Sequence, residues 1–174
     1  RPQHRVQHHH NASRTPAPKG PGARGFSAEA ARADVEAIAA RPHPIGSPDH
    51  DRVRDYVAAR LRGLGLQTQV WNGEAMEVAV SAGEAGVAGG RVQDVIGLLA
   101  GRSRTAPALL VMAHYDTAPG SPGAADDTAG VAVALQVAER LQAQGPPERD
   151  VVFLITDGEE AGLLGARAFF TGHP

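Results

Sequence analysis

The chain has 174 residues, enough for one domain or most of one. Its formal charge of -2 at pH 7 comes without a basic stripe, which argues against a nucleic-acid partner. It has no cysteine, so disulfides and thiolate metal sites are excluded, and any metal must be held by His, Asp or Glu.

Residues 1–25 are rich in Pro, Gly, His and Arg and show no apolar period, so we predict a disordered lead-in. The patterns of a folded domain follow over residues 26–174. No apolar run approaches the roughly 18 residues of a membrane span, so we expect membrane association only through segments outside this chain. No pattern in the sequence indicates an oligomeric state.

Two helices are predicted near the start of the folded part. Ser27 can cap a helix that runs to about Ala40. The prolines in residues 41–48 predict a loop after it. Ser47 as the cap and Pro48 at the first helical position then begin a second, amphipathic helix.

The rest of the chain alternates between strand and helix patterns. Apolar or alternating runs predict strands at residues 66–71, 77–81, 92–99, 108–113 and 151–156. The glycine-rich stretch 83–90 is predicted to be a surface connection. Helical spacing of apolar residues predicts helices from Thr128 to about Gln144 and from Leu163 to Phe170. This alternation predicts an α/β sandwich with a largely parallel centre.

Three acidic motifs stand at the ends of these elements. One follows the apolar run 108–113, one precedes the third helix and one follows the apolar run 151–156. Because ligands bind at the carboxyl ends of strands in such sheets, we expect the motifs to converge at one edge. They are His114-Tyr115-Asp116, Ala124-Ala125-Asp126-Asp127 and Asp157-Gly158-Glu159-Glu160.

Imidazole and carboxylate are zinc ligands, and two zinc ions about 3.5–4 Å apart need a bridging carboxylate. Asp126, short and held at a turn, suits the bridge, while His114 would hold one ion and Glu160 the other. Asp116, two residues past His114, can orient the imidazole. Glu159 is then free to act as general base.

Each motif taken alone has a simpler interpretation. His-x-Asp is usually a surface pair, Asp126-Asp127 is most often a helix cap, and Glu159-Glu160 is most often a solvated helix start. The order, spacing and strand-end placement favour the joint interpretation. Four further histidines are predicted to lie in loops or at the surface, namely His4, His43, His50 and His173.

The motifs resemble those of metallopeptidase family 28, the co-catalytic zinc aminopeptidases and their relatives. The similarity lies in residues 114–117 (HYDT), 122–130 (PGAADDTAG) and 156–165 (TDGEEAGLLG), over about residues 26–170. Residues 41–47 (RPHPIGS) resemble the endoplasmic-reticulum metallopeptidase branch and its bacterial homologues.

The resemblance implies a three-layer sandwich with a mixed, centrally parallel sheet flanked by helices, here incomplete. It implies two zinc ions, with His114, Asp126 and Glu160 as metal ligands, Glu159 and Asp116 as catalytic residues, and a peptide bond before Asp127 that is often cis. The family also needs a further Asp or Glu and a late His, both expected beyond residue 170. We therefore expect residues 26–174 to be the N-terminal part of a zinc peptidase catalytic domain, or a metal-deficient one, and this chain alone to be inactive if it is truncated.

The resulting hypothesis is a zinc-dependent exopeptidase, with an aminopeptidase acting on peptides as the favoured form. Carboxypeptidase or glutaminyl cyclase chemistry on the same fold is one alternative. A catalytically inert fragment or binding module is another. By resemblance alone, the expected location is extracytoplasmic or membrane-associated.

Overall fold

The structure, a computed structural model, describes residues 26–81, 84–103 and 105–173. The predicted lead-in, residues 1–25, and His4 within it lie outside the described residues. The division of the chain at residue 25 stays a prediction. None of the described helices is both long enough and apolar enough to cross a membrane.

The first two helices begin where their cap residues predict. Helix α1 spans Ala28–Ile38, and the Ser27 hydroxyl accepts a hydrogen bond from the backbone N–H of Ala30. Helix α2 spans Pro48–Gly63, and the Ser47 hydroxyl accepts from the backbone N–H of His50. Each cap satisfies a backbone donor that has no partner inside the helix.

A long antiparallel hairpin follows these helices. Strand β1 spans Gln67–Ser81 and β2 spans Glu84–Leu99, paired without interruption from Gln67↔Leu98 to Ser81↔Glu84. The two strands predicted at residues 66–71 and 77–81 are therefore one strand. The predicted surface connection at residues 83–90 was wrong, because residues 84–90 belong to β2. Ladder hydrogen bonds need only backbone groups, which glycine also supplies, so pairing outweighs its weak strand propensity here.

The motifs lie on the second half of the fold. Strand β3 spans Leu109–His114, α3 spans Ala129–Ala143, β4 spans Val151–Thr156, and α4 spans Leu164–Gly172. The described sheet has the order β1-β2-β4-β3, in which only β3 and β4 run parallel. The prediction of a mixed sheet flanked by helices is confirmed.

Helices cover the two faces of the sheet, which gives three layers. Because side chains alternate along a strand, neighbouring residues of β2 face opposite sides. Val95 packs with the core residues of α1, α2 and α3, whereas Val92 packs with Leu164 and Ala168 of α4. The parallel pairing of β3 and β4 then places His114 beside Thr156, so the two motif-bearing strands end at the same edge.

Candidate metal and catalytic site

His114 is the point on which the motif side chains converge. It is the last residue of β3 and only 7% exposed. Its Nε2 lies 3.1 Å from Asp126 Oδ1 and 3.7 Å from Glu159 Oε2. Its Nδ1 lies 3.1 Å from the backbone oxygen of Asp116 and 3.5 Å from Asp116 Oδ1. One imidazole therefore has a carboxylate on each side, that of Asp116 near Nδ1 and that of Asp126 near Nε2.

Asp116 is buried and holds the glutamate turn in place. Its Oδ1 accepts a hydrogen bond from the backbone N–H of Glu159 at 2.9 Å, and its Oδ2 accepts from that of Glu160 at 3.2 Å. Burial acts to raise the pKa of Asp116, but the bond to His114 and these two N–H groups together lower it. A charged Asp116 thus links the imidazole to the predicted base.

The turn of residues Ala124–Thr128 carries the two aspartates into α3. The Asp126–Asp127 peptide bond is cis. Asp127 points inward, where Oδ2 accepts from the backbone N–H of His114 at 3.3 Å and Oδ1 accepts from that of Gly130 at 3.1 Å. Asp126 points outward, with a side chain that is 82% exposed. The inner aspartate ties the turn to β3, and the outer one is left free to face the Nε2 of His114.

The two glutamates have different environments. Glu159 is partly buried, and its Oε2 faces His114. Burial raises the pKa of Glu159, against the lowering effect of His114, and the Glu160 carboxylate raises it further. Glu160 is exposed and joins the cluster through its backbone N–H, with no bond from its carboxylate to His114 or Asp126 in the described part of the chain. Its predicted role as a ligand stays a prediction.

The charge around His114 is dominated by carboxylates. Burial acts to lower the pKa of His114, but Asp116, Asp126 and Glu159 outweigh it and raise the value to about 9. Even a protonated imidazole balances only one of these three negative charges. The cluster therefore attracts a cation.

The donor set fits a zinc ion. Two ligands bound about 2.0–2.1 Å from one tetrahedral ion are about 3.3 Å apart. The 3.1 Å separation of His114 Nε2 and Asp126 Oδ1 is close to that spacing. Across residues 26–81, 84–103 and 105–173, however, no group of three or more His, Asp or Glu side chains has the arrangement of a metal site. The described residues thus offer part of a ligand set.

Two histidines near this cluster are buried. His43 lies in a loop, as predicted, whereas the prediction of a loop or surface position for His50 was wrong, because His50 lies on the buried side of α2. His43 is fully buried, its backbone N–H donates to Thr117 Oγ1 at 3.0 Å, and burial lowers its pKa. His50 is 4% exposed, with Nε2 at 2.6 Å from Asp157 Oδ1. The spacing of His50 three residues before Val53 and seven before Val57 could have placed it on the buried face of α2. His173 is exposed, as predicted.

Asp94 on β2 is another buried acid, and the sequence patterns did not reveal it. Its Oδ1 accepts from the backbone N–H of Asp157 at 2.9 Å, and its Oδ2 has no hydrogen-bond partner among the described residues. Burial raises the pKa of Asp94 to about 7, against the lowering effect of that N–H, and the Asp157 and Asp116 carboxylates add to the rise. Asp94 therefore takes up its proton close to neutral pH.

This raised pKa predicts a pH dependence of stability. The folded pKa of about 7 lies above the ordinary value of about 3.9, so folded Asp94 binds the proton more tightly than unfolded Asp94 does. Its contribution to the free energy of unfolding should be fully present below about pH 4 and be lost as the pH rises to about 7. Asp94→Asn keeps an acceptor for the backbone N–H of Asp157 and should remove this slope. On raising the pH from 4 to 8, the free energy of unfolding of wild type should fall by about 1–4 kcal/mol more than that of Asp94→Asn.

Urea unfolding of both proteins between pH 4 and pH 8 measures the effect. The control is Asp55→Asn, which changes an exposed carboxylate in the same way and should leave the slope unchanged. Parallel pH profiles for wild type and Asp94→Asn would contradict the assignment.

Comparison with known proteins identifies a matching family model and similar proteins. Residues 94–174 match the model of peptidase family M28. A vacuolar membrane protease of Candida dubliniensis is 34% identical over 143 residues, which are 81% of this chain and 15% of that protein. The chain spans 15–17% of the length of such curated relatives.

Solved structures share the fold. A zinc aminopeptidase from Bacillus subtilis has a TM-score of 0.70 at 16% identity, covering 86% of this chain and 66% of that one. A glutaminyl cyclase from Tannerella forsythia has a TM-score of 0.62 at 25% identity, covering 80% of this chain and 49% of that one. The first likeness, at so low an identity, is a likeness of fold.

Proposed function

This chain belongs to peptidase family M28, and from that premise we propose that it carries part of the catalytic centre of a zinc-dependent aminopeptidase that removes N-terminal residues from peptides. The observation that carries the proposal is the meeting of Asp116, Asp126 and Glu159 within 4 Å of the single imidazole of His114. Family membership supports a peptidase. The name of the Bacillus subtilis neighbour supports the finer assignment of aminopeptidase.

His114 and Asp126 are the residues that would hold zinc, with Glu160 as a further candidate ligand. A bound zinc ion would polarise the scissile carbonyl and lower the pKa of water. Asp116 lies beside Nδ1 of His114 and orients the imidazole so that Nε2 points towards Asp126 and Glu159. The protein's own part in the chemistry is to orient these groups before substrate arrives.

Glu159 is the proposed general base. Its carboxylate accepts a proton from water as the water oxygen forms a bond to the scissile carbonyl carbon. The same carboxyl then gives that proton to the leaving nitrogen as the C–N bond breaks, so the step begins and ends with an ionised Glu159. A pKa raised by burial suits this exchange, because a base works best when its pKa is near the working pH.

The proposal is tested on the full-length protein with three forms of one peptide. An aminopeptidase should cleave the peptide with a free N-terminus, cleave it equally when the C-terminus is amidated, and not cleave it when the N-terminus is acetylated. Removing metal with a chelator should abolish cleavage, and zinc should restore it. Cleavage of the acetylated but not the amidated peptide would contradict the assignment and indicate a carboxypeptidase.

Zinc binding itself gives a second readout for the same proposal. His114→Ala should weaken zinc binding by at least about 100-fold, because it removes the imidazole ligand. His173→Ala, which changes an exposed histidine, should bind zinc as wild type does. Equal zinc affinity in the two variants would place the metal elsewhere.

Glutaminyl cyclase activity is the second candidate, favoured by the 25% identity to the Tannerella forsythia enzyme. A peptide with N-terminal glutamine separates the two reactions. A cyclase releases ammonia and leaves a cyclised N-terminus on a peptide of unchanged length, whereas an aminopeptidase releases free glutamine.

The name of the Candida dubliniensis relative supports a membrane-associated setting for the whole protein.

A further inference from the structure

One buried side chain from α2 touches two of the three motif segments. His50 lies in the first turn of α2, far in sequence from the residues it contacts. Its Nε2 is 2.6 Å from Asp157 Oδ1, across 107 positions of the chain. Its ring stacks on that of Tyr115, with the ring centres 4.8 Å apart and the planes inclined by 28°. A carboxylate oxygen only accepts, so the Nε2–H of His50 is the donor.

These contacts close into a circuit, which we call the His50 circuit: His50, Asp157, Gln93 and Tyr115. The backbone N–H of Gln93 donates to Asp157 Oδ2 at 2.8 Å, and the Tyr115 hydroxyl donates to the backbone oxygen of Gln93 at 3.1 Å. The stacked rings of Tyr115 and His50 complete it. Moving any member requires a hydrogen bond or a ring contact to break, so the circuit holds its members at fixed separations.

Two members of the circuit are chain neighbours of the proposed catalytic groups. Tyr115 stands between His114 and Asp116, and Asp157 stands two residues before Glu159. The segment from Asp157 to Glu159 passes through Gly158, whose φ of 62° lies in the left-handed region. Glycine is the residue that adopts this conformation at little cost, and it also restrains the chain least. Asp116 holds the far end of this turn through the backbone N–H groups of Glu159 and Glu160, and the restraint on Asp157 holds its near end.

We infer that His50 is a positioning residue for the proposed hydrolysis: through the His50 circuit it sets the distance between Glu159 and the imidazole of His114. This inference rests on the proposed function. His50 does not touch the reacting atoms, and its effect passes through Tyr115 on one side and Asp157 on the other. The quantity it controls is the 3.7 Å separation of Glu159 Oε2 and His114 Nε2.

Two substitutions separate the two halves of the contact. His50→Phe keeps a ring for Tyr115 but has no donor for Asp157, which leaves a buried carboxylate short of a partner. His50→Gln keeps an amide donor but loses the ring. We expect His50→Phe to lower kcat for peptide cleavage by about 10–100-fold with KM little changed, because misplacing a catalytic group costs rate more than binding. His50→Gln should recover part of that loss, which a general effect on folding would not produce.

A spectroscopic readout does not depend on turnover. A short imidazole–carboxylate hydrogen bond gives a proton resonance at unusually low field in the NMR spectrum. That resonance should be present in wild type and in Glu159→Gln and absent in His50→Phe and His50→Gln. His173→Phe, at an exposed histidine that stacks on Phe169, should change neither the resonance nor kcat. Absence of the resonance in wild type would overturn the inference at its first step.

The outcomes distinguish the inference from the function on which it rests. If Glu159→Gln loses activity but both His50 variants keep the wild-type kcat, the positioning role is wrong and the proposed function stands. If the wild type cleaves none of the peptides, the proposed function fails, and the positioning role fails with it. If the wild type cleaves them and Glu159→Gln is equally active, Glu159 is not the base, and the positioning role fails while the proposed peptidase function stands. If His50→Phe does not fold, His50→Gln decides: a lowered kcat at unchanged KM supports the role, and a wild-type kcat overturns it.

Discussion

Replacing Glu159 with Gln is expected to lower kcat for peptide cleavage by about 10²–10⁴-fold while zinc binding is kept. The amide has nearly the shape of the carboxylate but cannot accept the proton of the attacking water. Glu159 is not a proposed zinc ligand, and its backbone N–H bond to Asp116 does not involve the side chain. The expected result is therefore a folded protein that binds zinc and substrate and turns over slowly. Steady-state kinetics and a zinc competition assay measure the two properties separately.

A matched control is Glu36→Gln on α1. It makes the same chemical change on an exposed side chain, whose ion pair among the described residues is with Arg32 at the surface. Its kcat and zinc affinity should equal those of wild type. Undiminished turnover in Glu159→Gln would show that another group accepts the proton, and loss of zinc binding would show that Glu159 is a ligand.

The placement of the motifs could be predicted because it follows from local patterns. Two continuous apolar runs end in polar residues, and parallel strands that end together bring those residues to one edge. His114, Asp116, Asp126 and Glu159 do meet there. The position of the Glu160 carboxylate could not be predicted in the same way. Glu160 lies four residues past the end of β4 and beyond the turn at Gly158, where the strand period no longer applies.

The parts that sequence patterns missed depend on distant pairing. The glycine-rich residues 84–90 form a strand because β1 supplies backbone partners along their whole length. The local strand propensity of these residues does not predict this pairing. His50 and Asp94 are polar residues inside apolar surroundings, which hydropathy assigns to the surface. Helical spacing could have placed His50 on the buried face of α2, but the partner of both side chains, Asp157, stands more than sixty positions from each. Contacts of this kind are set by the fold as a whole.

Asp116→Asn is expected to damage both the fold of the site and its affinity for zinc. The two carboxylate oxygens of Asp116 accept from two successive backbone N–H groups, of Glu159 and Glu160. An amide offers only one acceptor, so one N–H would face an NH₂ donor instead, at a cost of roughly 1–3 kcal/mol in the free energy of unfolding. The substitution also removes the negative charge beside His114 Nδ1, which should weaken zinc binding by about 10–100-fold.

Asp34→Asn separates these two effects, because Asp34 is equally buried but bonds to Tyr56 and Arg60. It should lower the urea midpoint in the same way and leave the zinc affinity of the folded protein unchanged. If both variants lose stability but neither loses zinc affinity, Asp116 supports only the turn. If Asp116→Asn alone loses affinity, the carboxylate acts on the metal through His114, since the amide occupies the same volume and lacks only the charge and one acceptor.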